Sequence, residues 1–389
     1  DVIAAIEPND SRERFTGLGV RVIQGAARFR DAQTVSVGDR IEIKARRFVI
    51  AAGSSPAVPP IPGLEETPYL TNETVFELTA RPEHLIVIGA GPVGLELAQA
   101  FCRLGSAVTV IEAGQPLARE DAECGQVVLG ALAREGVDLR SSTAVARVEA
   151  ANGRIRVVVS AGAQGQDEEE GIIGSHLLLA TGRRANVEGL GLDAAGIRHD
   201  RAGIHVDKGL KTTNRRVYAI GDIAGGPQFT HLANHQAGLV IRNALFRLPV
   251  RVDDHIVPRV TFTDPELAHV GLTEEEARRL GGSFRVLRWP FHENDRAQAE
   301  RETDGHIKVV TSSSGRILGA TIVGVGAGEL IAPWTLAVTR KLNIRVFAGM
   351  IIPYPTRSEV GKRAAMTYFT PGLTNRFVQR IIVLLRRFG

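Results

Sequence analysis

Cysteine is almost missing from this chain: only Cys102 and Cys124 carry thiols among 389 residues. Neither sits in a C-x-x-C or metal-type spacing, so the chain is no small stapled module, and so few thiols point to a reducing compartment such as the cytoplasm. Cys102 falls in a helix-like run, where it reads as a small buried hydrophobe. An excess of one charge is also lacking. The formal net charge is +4, and the pI near 9.3 arises from scattered arginines, so nucleic-acid binding is not indicated. No apolar run approaches the length of about 20 residues that spans a bilayer. The first twenty residues contain Asp1, Glu7, Asp10, Arg12, Glu13 and Arg14, a composition foreign to a signal peptide, and a soluble protein is expected. The histidines, His269, His292 and His306 among them, show no metal spacing, and no metal site is expected. What is plentiful is apolar content, 44% of the chain, which suffices for two or three domains with separate cores.

The most specific pattern is Gly89-Ala90-Gly91-Pro92-Val93-Gly94, set between the apolar run Leu85–Ile88 and a helix-like run Leu95–Leu104, with Ala107-Val108-Thr109-Val110-Ile111-Glu112 following. Strand, G-x-G-x-x-G, helix, strand and terminal acid make a complete dinucleotide-binding unit. Gly89 permits the tight turn, Gly91 lets a pyrophosphate approach the backbone, and Gly94 lets the helix lie close to the strand. Glu112 would accept from the adenosine ribose hydroxyls and repel a 2′-phosphate. A nicotinamide cofactor is expected, with NADH preferred over NADPH.

Elsewhere, Gly25–Phe29 begins a strand, and a hairpin is expected through Thr34–Val37 and Ile41–Ile43 around Gly38-Asp39. Arg47–Gly53 reads as a short buried strand, followed by an extended proline-rich crossing from Pro56 to Pro62. A helix over Glu123–Glu135 and strands near 145–149, 154–160 and 176–181 follow, with the acidic run Gln164–Gly171 as a solvated hairpin tip. Residues 258–370 change character. Strands are expected over 260–262, 284–287, 306–310 and 317–323, and helices over 273–280 and 327–342, as in a separate α+β domain. Gly324–Glu329 imitates a phosphate loop. Asp222 ends the strand Val217–Ile220 just after Gly221, where an acid either caps a following helix or binds a sugar hydroxyl.

Taken in order, Ala51-Ala52-Gly53, the glycine unit at 89–112, Ala180-Thr181-Gly182-Arg183-Arg184-Ala185-Asn186, Ala219-Ile220-Gly221-Asp222, Phe262-Thr263-Asp264-Pro265-Glu266-Leu267 with Val270–Glu274, and Tyr354-Pro355-Thr356-Arg357-Ser358-Glu359 resemble the flavin-dependent pyridine nucleotide–disulfide oxidoreductases. The resemblance covers nearly the whole chain and looks closest to mercuric reductase-like and dihydrolipoamide dehydrogenase-like flavoproteins. It implies an α/β fold with two Rossmann-like nucleotide-binding domains, the FAD one incomplete, and a C-terminal α+β dimerisation domain. The implied divisions are 1–81 with 185–254 for the FAD-binding remainder, 82–184 for NAD binding, 255–372 for dimerisation, and 373–389 as an amphipathic basic tail. Asp222 would bond the ribityl chain of FAD, with Thr230 and His231 near the flavin at the start of a helix. Ala27 and Gly53 would contact FAD through backbone, and Val145 and Gly182 belong to the implied cofactor-contact set. Glu96 would reach the nicotinamide; its alternative is a solvated first-turn acid favoured by the helix dipole. The activity implied is hydride transfer from NAD(P)H to FAD and on to a disulfide or metal-ion acceptor.

Two departures accompany the match. No glycine fingerprint precedes residue 89 and no C-x-x-x-x-C pair is present, so the chain, which begins with Asp1 in mid-pattern, is expected to be a fragment of a longer protein. Tyr354 stands where the disulfide reductases have a histidine held by the acid at Glu359. Tyrosine there is shared with mercuric reductases, whose C-terminal cysteine pair has no counterpart in Leu385–Gly389; an aromatic packed at a subunit interface is the alternative. Rivals to the main reading are a dithiol-independent reductase of quinones or metal ions and a non-catalytic nucleotide sensor. A homodimer is expected on residues 255–372, because Ile331, Trp334, Leu336, Ala337, Val338, Met350, Ile351 and Ile352 exceed what a small sheet needs to bury. In the tail, Phe377, Val378, Ile381, Ile382, Leu384, Leu385 and Phe388 recur at helical spacing, with Arg376, Arg380, Arg386 and Arg387 largely elsewhere. The tail either packs on the dimer or makes weak peripheral contact with an anionic membrane.

Overall fold

The computed structural model describes residues 2–151, 153–161, 169–373 and 376–388. The chain folds as two compact units, one of Asp1–Ser55 with Arg184–Val252 and one of Pro56–Arg183 with Asp253–Gly389.

In the first unit, Ala27–Phe29, Thr34–Val37 and Ile41–Lys44 form an antiparallel meander whose register, Val37 opposite Ile41, closes a turn over Gly38 with φ of 57°. A left-handed residue at that turn suits glycine, which has no Cβ to clash. Phe48–Ile50 pairs in parallel with Val217–Ala219, Phe48 opposite Val217. Parallel pairing carries both strands to the same edge, so Gly53 and Asp222 emerge together although far apart in sequence. Phe29, Ile50, Leu192, Ile197, Val217 and Ile223 fill the core beneath them. The strand at 48–50 is buried only at its end, since Val49 faces solvent.

The second unit contains a four-stranded parallel sheet in the order His176–Leu179, His84–Ile88, Ala107–Ile111, Asp138–Arg140. Its central strands are continuous apolar runs because both faces are covered. Leu85 and Val87 pack towards the helices Pro92–Arg103 and Ala122–Glu135, and Ile86 and Ile88 towards the antiparallel strands Thr143–Ala151 and Arg154–Ala161. The segment 56–81, grouped by sequence with the FAD-binding remainder, packs in this unit: Leu64 and Val75 are buried in its two cores, and Leu70 bridges Leu178. Of the acidic run Gln164–Gly171, residues 164–168 lie outside the described residues, and Glu169–Gly174 is a strand paired with Arg154–Ala161 rather than a hairpin tip. Cys102 is only half-buried, and Cys124 is the fully buried thiol.

The C-terminal part of this unit is a five-stranded antiparallel sheet, ordered Arg259–Thr261, Glu266–Gly271, Ile317–Gly324, His306–Ser312, Phe284–Pro290. Glu266–Gly271 was not expected as a strand, because Pro265 and the short Leu267–Val270 stretch hide its alternation. The single helix expected over 327–342 is two, Ala327–Leu330 and Ala332–Thr339, parted at Ile331. Ile331, Trp334 and Ala337 are consumed in the chain's own core, with Trp334 stacked on Phe347 at 3.9 Å, so they add nothing to an outer surface. Leu336, Met350 and Ile351 remain exposed, Ile351 at 97%.

A buried ion cluster joins the two sheets of this unit. Lys308, 5% exposed, donates to Asp121 at 2.9 Å, Glu123 at 3.0 Å and Glu274 at 2.8 Å. Asp121 also caps the helix Ala122–Glu135 by accepting from the Cys124 N–H, and Arg288 bridges Glu123 and Glu274. Nearby, Arg259 pairs with Glu120 at 2.8 Å. Partial burial opposes ionisation of Glu123, yet the bonds from Arg288 and Lys308 outweigh it and pull its carboxyl down to about 2. The Lys308 bond likewise lowers Glu274. Because these folded-state values are depressed, the stability they confer is full above the ordinary value of 4.5 and lost as the pH falls towards 2. Denaturant titrations across that window should show the decline, and Lys308→Met, which strands the carboxylates, should cost about 3–5 kcal/mol at neutral pH and flatten the acid limb. An unchanged denaturation midpoint in Lys308→Met would contradict this.

Candidate nucleotide-binding sites

The three glycines of the loop sit in three different surroundings. Gly89 has φ of 108°, and a Cβ there would lie 2.4 Å from the Ala180 carbonyl oxygen. At Gly94 a Cβ would lie 2.0 Å from the Gly89 carbonyl oxygen, so the first turn of the helix rests directly on the loop. Gly91, with an ordinary φ of −79°, has no atom within 4 Å of a Cβ position. Nothing in the fold therefore requires glycine at 91, and the space in front of it is open. Gly91 is also the N-cap of Pro92–Arg103 and supplies no side-chain acceptor, which leaves first-turn N–H groups available to an anion. Glu112, at the end of the second strand, accepts from the Ala90 N–H at 2.8 Å and the Gly114 N–H at 2.9 Å. The acid is thus held at the loop rather than turned into solvent. These features fit a dinucleotide pyrophosphate and ribose.

Gly182, with φ of 106°, accepts the Ala57 N–H at the exit of the neighbouring strand. Val145 lies in the antiparallel strand Thr143–Ala151, opposite Val159 beside a bulge, and packs partly buried against the core below the parallel sheet.

Glu96 is not the solvated acid of a first turn. Its carboxylate accepts the Phe262 N–H at 2.8 Å, and burial raises its pKa. One turn further on, Gln99 accepts the Asp264 N–H and donates to the Asp264 carbonyl, both at 2.8 Å. Two polar side chains on one helix face thereby clamp residues 262–264. Gln99 was missed from sequence; a polar residue three after Glu96 on an otherwise apolar face was the available signal.

In the first unit, Asp222 accepts from the Ser54 hydroxyl at 2.5 Å, where the parallel strands end. Gly53 sits there with φ of 66°, its carbonyl taking the Asn186 N–H while the Asn186 side chain bonds the Ala52 carbonyl. Thr230 and His231 open the helix Thr230–Phe246, which no side chain caps, and His231 stacks on Phe229 at 5.2 Å. An uncapped helix start beside a fixed carboxylate and a glycine turn fits the ribityl and phosphate-bearing part of a flavin nucleotide. Ala27 lies on the exposed start of its strand. Ser54 and Asn186 were not singled out as site residues from sequence.

Tyr354 is exposed and donates its hydroxyl to Asp295 at 2.8 Å. That bond, reinforced by the charges of Asp295 and Glu359, raises the phenol pKa above its usual 10. Glu359, which by the resemblance would hold a histidine at 354 in the disulfide reductases, opens the helix Glu359–Thr367, and the acid bonded to Tyr354 is Asp295. Among the described residues no group of His, Cys, Asp and Glu could hold a metal ion, and no helix is long and apolar enough to cross a membrane.

Comparison with known proteins agrees with this arrangement. The family model described as pyridine nucleotide-disulphide oxidoreductase matches residues 7–237, and the dimerisation-domain model of the same name matches residues 257–365. The mercuric reductase of Lysinibacillus sphaericus is 38% identical over 89% of this chain, and that of Bacillus cereus 38% over 92%. The chain spans 63% and 57% of the length of those two relatives. The solved structure of the HOCl-induced flavoprotein disulfide reductase RclA from Escherichia coli superposes with a TM-score of 0.83 at 28% identity, over 92% of this chain and 83% of that one. With the nucleotide-binding and dimerisation parts both matched in the order the fold presents them, the chain belongs to the pyridine nucleotide-disulphide oxidoreductase family.

Proposed function

We propose that this chain forms the nucleotide-binding and dimerising body of an FAD-dependent NADH oxidoreductase whose electrons pass to a disulfide or a metal ion, as in the mercuric reductases it resembles. The observation that carries the reading is the open space at Gly91 facing an uncapped helix start, with Glu112 fixed beside it. When bound, the nicotinamide donates hydride and FAD accepts it for transfer to the acceptor. The chain's own residues hold and orient. Gly89, Gly91 and Gly94 receive the pyrophosphate, Glu112 the ribose hydroxyls, and Val145 and Gly182 line the same cofactor; Glu96 bounds the nicotinamide side. Ala27, Gly53, Asp222, Thr230 and His231 hold the flavin nucleotide. Tyr354 is neutral at pH 7, since a phenol's ordinary pKa of 10 is raised further by the bond to Asp295 that engages its only O–H, so it faces the acceptor as an uncharged phenol and not as a proton shuttle.

The reading extends to a symmetric homodimer. Phe262, Leu336, Ile351 and Tyr354 are exposed in the C-terminal part of the second unit, which is the apolar surface a twofold contact would use twice. Tyr354 and Glu359 of one subunit would then complete the flavin site of the other. A reducing, cytoplasmic setting suits the two unpaired thiols.

Three outcomes are expected. Gly91→Ala should leave thermal stability unchanged and weaken NADH binding about tenfold or more, whereas Gly94→Ala should destabilise the fold by about 1–3 kcal/mol through overpacking. NADH should bind about tenfold or more tightly than NADPH, since a 2′-phosphate would face Glu112, and equal affinities in a fluorescence titration would refute that assignment. Ile351→Asp should produce a monomer by sedimentation that binds NADH normally yet fails to reduce acceptor. A monomer with undiminished turnover per flavin would exclude the shared site, and NADH binding without any flavin reduction would favour a sensor.

A further inference from the structure

The terminal helix Arg376–Leu385 differs from every neighbour in what it does with its apolar residues. The preceding helix Glu359–Thr367 buries Val360, Ala364 and Ala365 in the domain core. The terminal one buries none of Ile381, Ile382, Leu384 and Leu385, which are 39–59% exposed, and Phe388 beyond it is 82% exposed. At 3.6 residues per turn, Val378, Ile381, Ile382, Leu384 and Leu385 share one arc of this helix and Gln379 and Arg380 the opposite one, with Val383 the apolar residue beside them, and Arg386 and Arg387 follow directly after its end.

Charge says what covers this face. From Val360 to Phe388 the chain has Lys362, Arg363, Arg376, Arg380, Arg386 and Arg387 and no acid, six cations where the whole chain nets only +4. The basic character described above as scattered is therefore concentrated here. A second copy docked through the apolar arc would cover that arc alone and leave the arginines of the opposite arc unanswered, since the segment holds no carboxylate. An anionic surface with an apolar interior answers both arcs at once.

We propose that residues 376–388 form an in-plane anchor that binds the chain reversibly to anionic lipid bilayers, the apolar arc entering at the acyl boundary and the arginines pairing with headgroup phosphates. The inference is independent of the redox reading. A lone amphipathic segment of this length gives weak, salt-sensitive binding rather than permanent insertion.

The experiment is flotation of the full chain with vesicles of phosphatidylcholine, with and without phosphatidylglycerol, in low and high salt. Co-flotation with phosphatidylglycerol vesicles is expected, falling about tenfold or more on phosphatidylcholine alone and in high salt. Arg380→Glu with Arg386→Glu should abolish it, as should Ile382→Ser with Leu385→Ser, while Val383→Ser on the cationic arc should retain it. These positions are exposed, and unchanged circular dichroism confirms that the variants fold. Failure to float with phosphatidylglycerol, or equal loss in Val383→Ser, overturns the proposal. So does a chain ended after Gly372 that sediments at half the mass of the full one, because the face would then serve a second copy.

Discussion

A cation that cannot reach water organises the larger unit. Lys308 lies in the middle of an antiparallel sheet strand with 5% of its side chain exposed, and an ammonium there is tolerable only if carboxylates surround it. Asp121, Glu123 and Glu274 do so, and two of the three belong to the start of the helix that covers the parallel sheet. The requirement is mutual, since Asp121 is itself 4% exposed and would be stranded without the lysine. Removing either side leaves a buried charge unanswered, so the dinucleotide-type sheet and the C-terminal sheet behave as one body and not as beads on a string.

A second set of contacts does the same work near the site with hydrogen bonds to the backbone. Glu96 and Gln99 project from the helix that begins at the glycine loop and hold the backbone of residues 262–264. The helix that begins at the glycine loop is therefore braced from behind by the C-terminal domain. A shift of residues 262–264 would be felt one turn away, at the loop, through a rigid element rather than through a chain of flexible side chains.

Legibility in the sequence followed the range of the interactions. The glycine loop, the acid at 112, the parallel strands and the hairpin at 34–43 were readable because each is fixed by neighbours within a few residues or by an unbroken apolar run. The strand at 266–271 was not, since Pro265 parts it from its near neighbour Arg259–Thr261 and its other partner lies some fifty residues away, Leu267 opposite Val323. The partners of the site residues were hidden for the same reason. Ser54 meets Asp222 only because two strands run parallel, and Asp295 meets Tyr354 only once the C-terminal sheet has closed.

The substitution of bonding acids at Tyr354 bears on how such a site changes chemistry. A histidine at this place would need an acid that orients its ring and supports a positive charge in the proton-transfer range. A phenol needs only an acceptor for its proton, and Asp295, reaching from a neighbouring short helix, provides it while raising the pKa further from neutrality. Glu359 is thereby released to the helix start, where an acid is favoured by the dipole whatever residue occupies 354. At 354 the side chain's bonding partner thus comes from a different element of the C-terminal part, and the acid five residues on is left to the helix it opens.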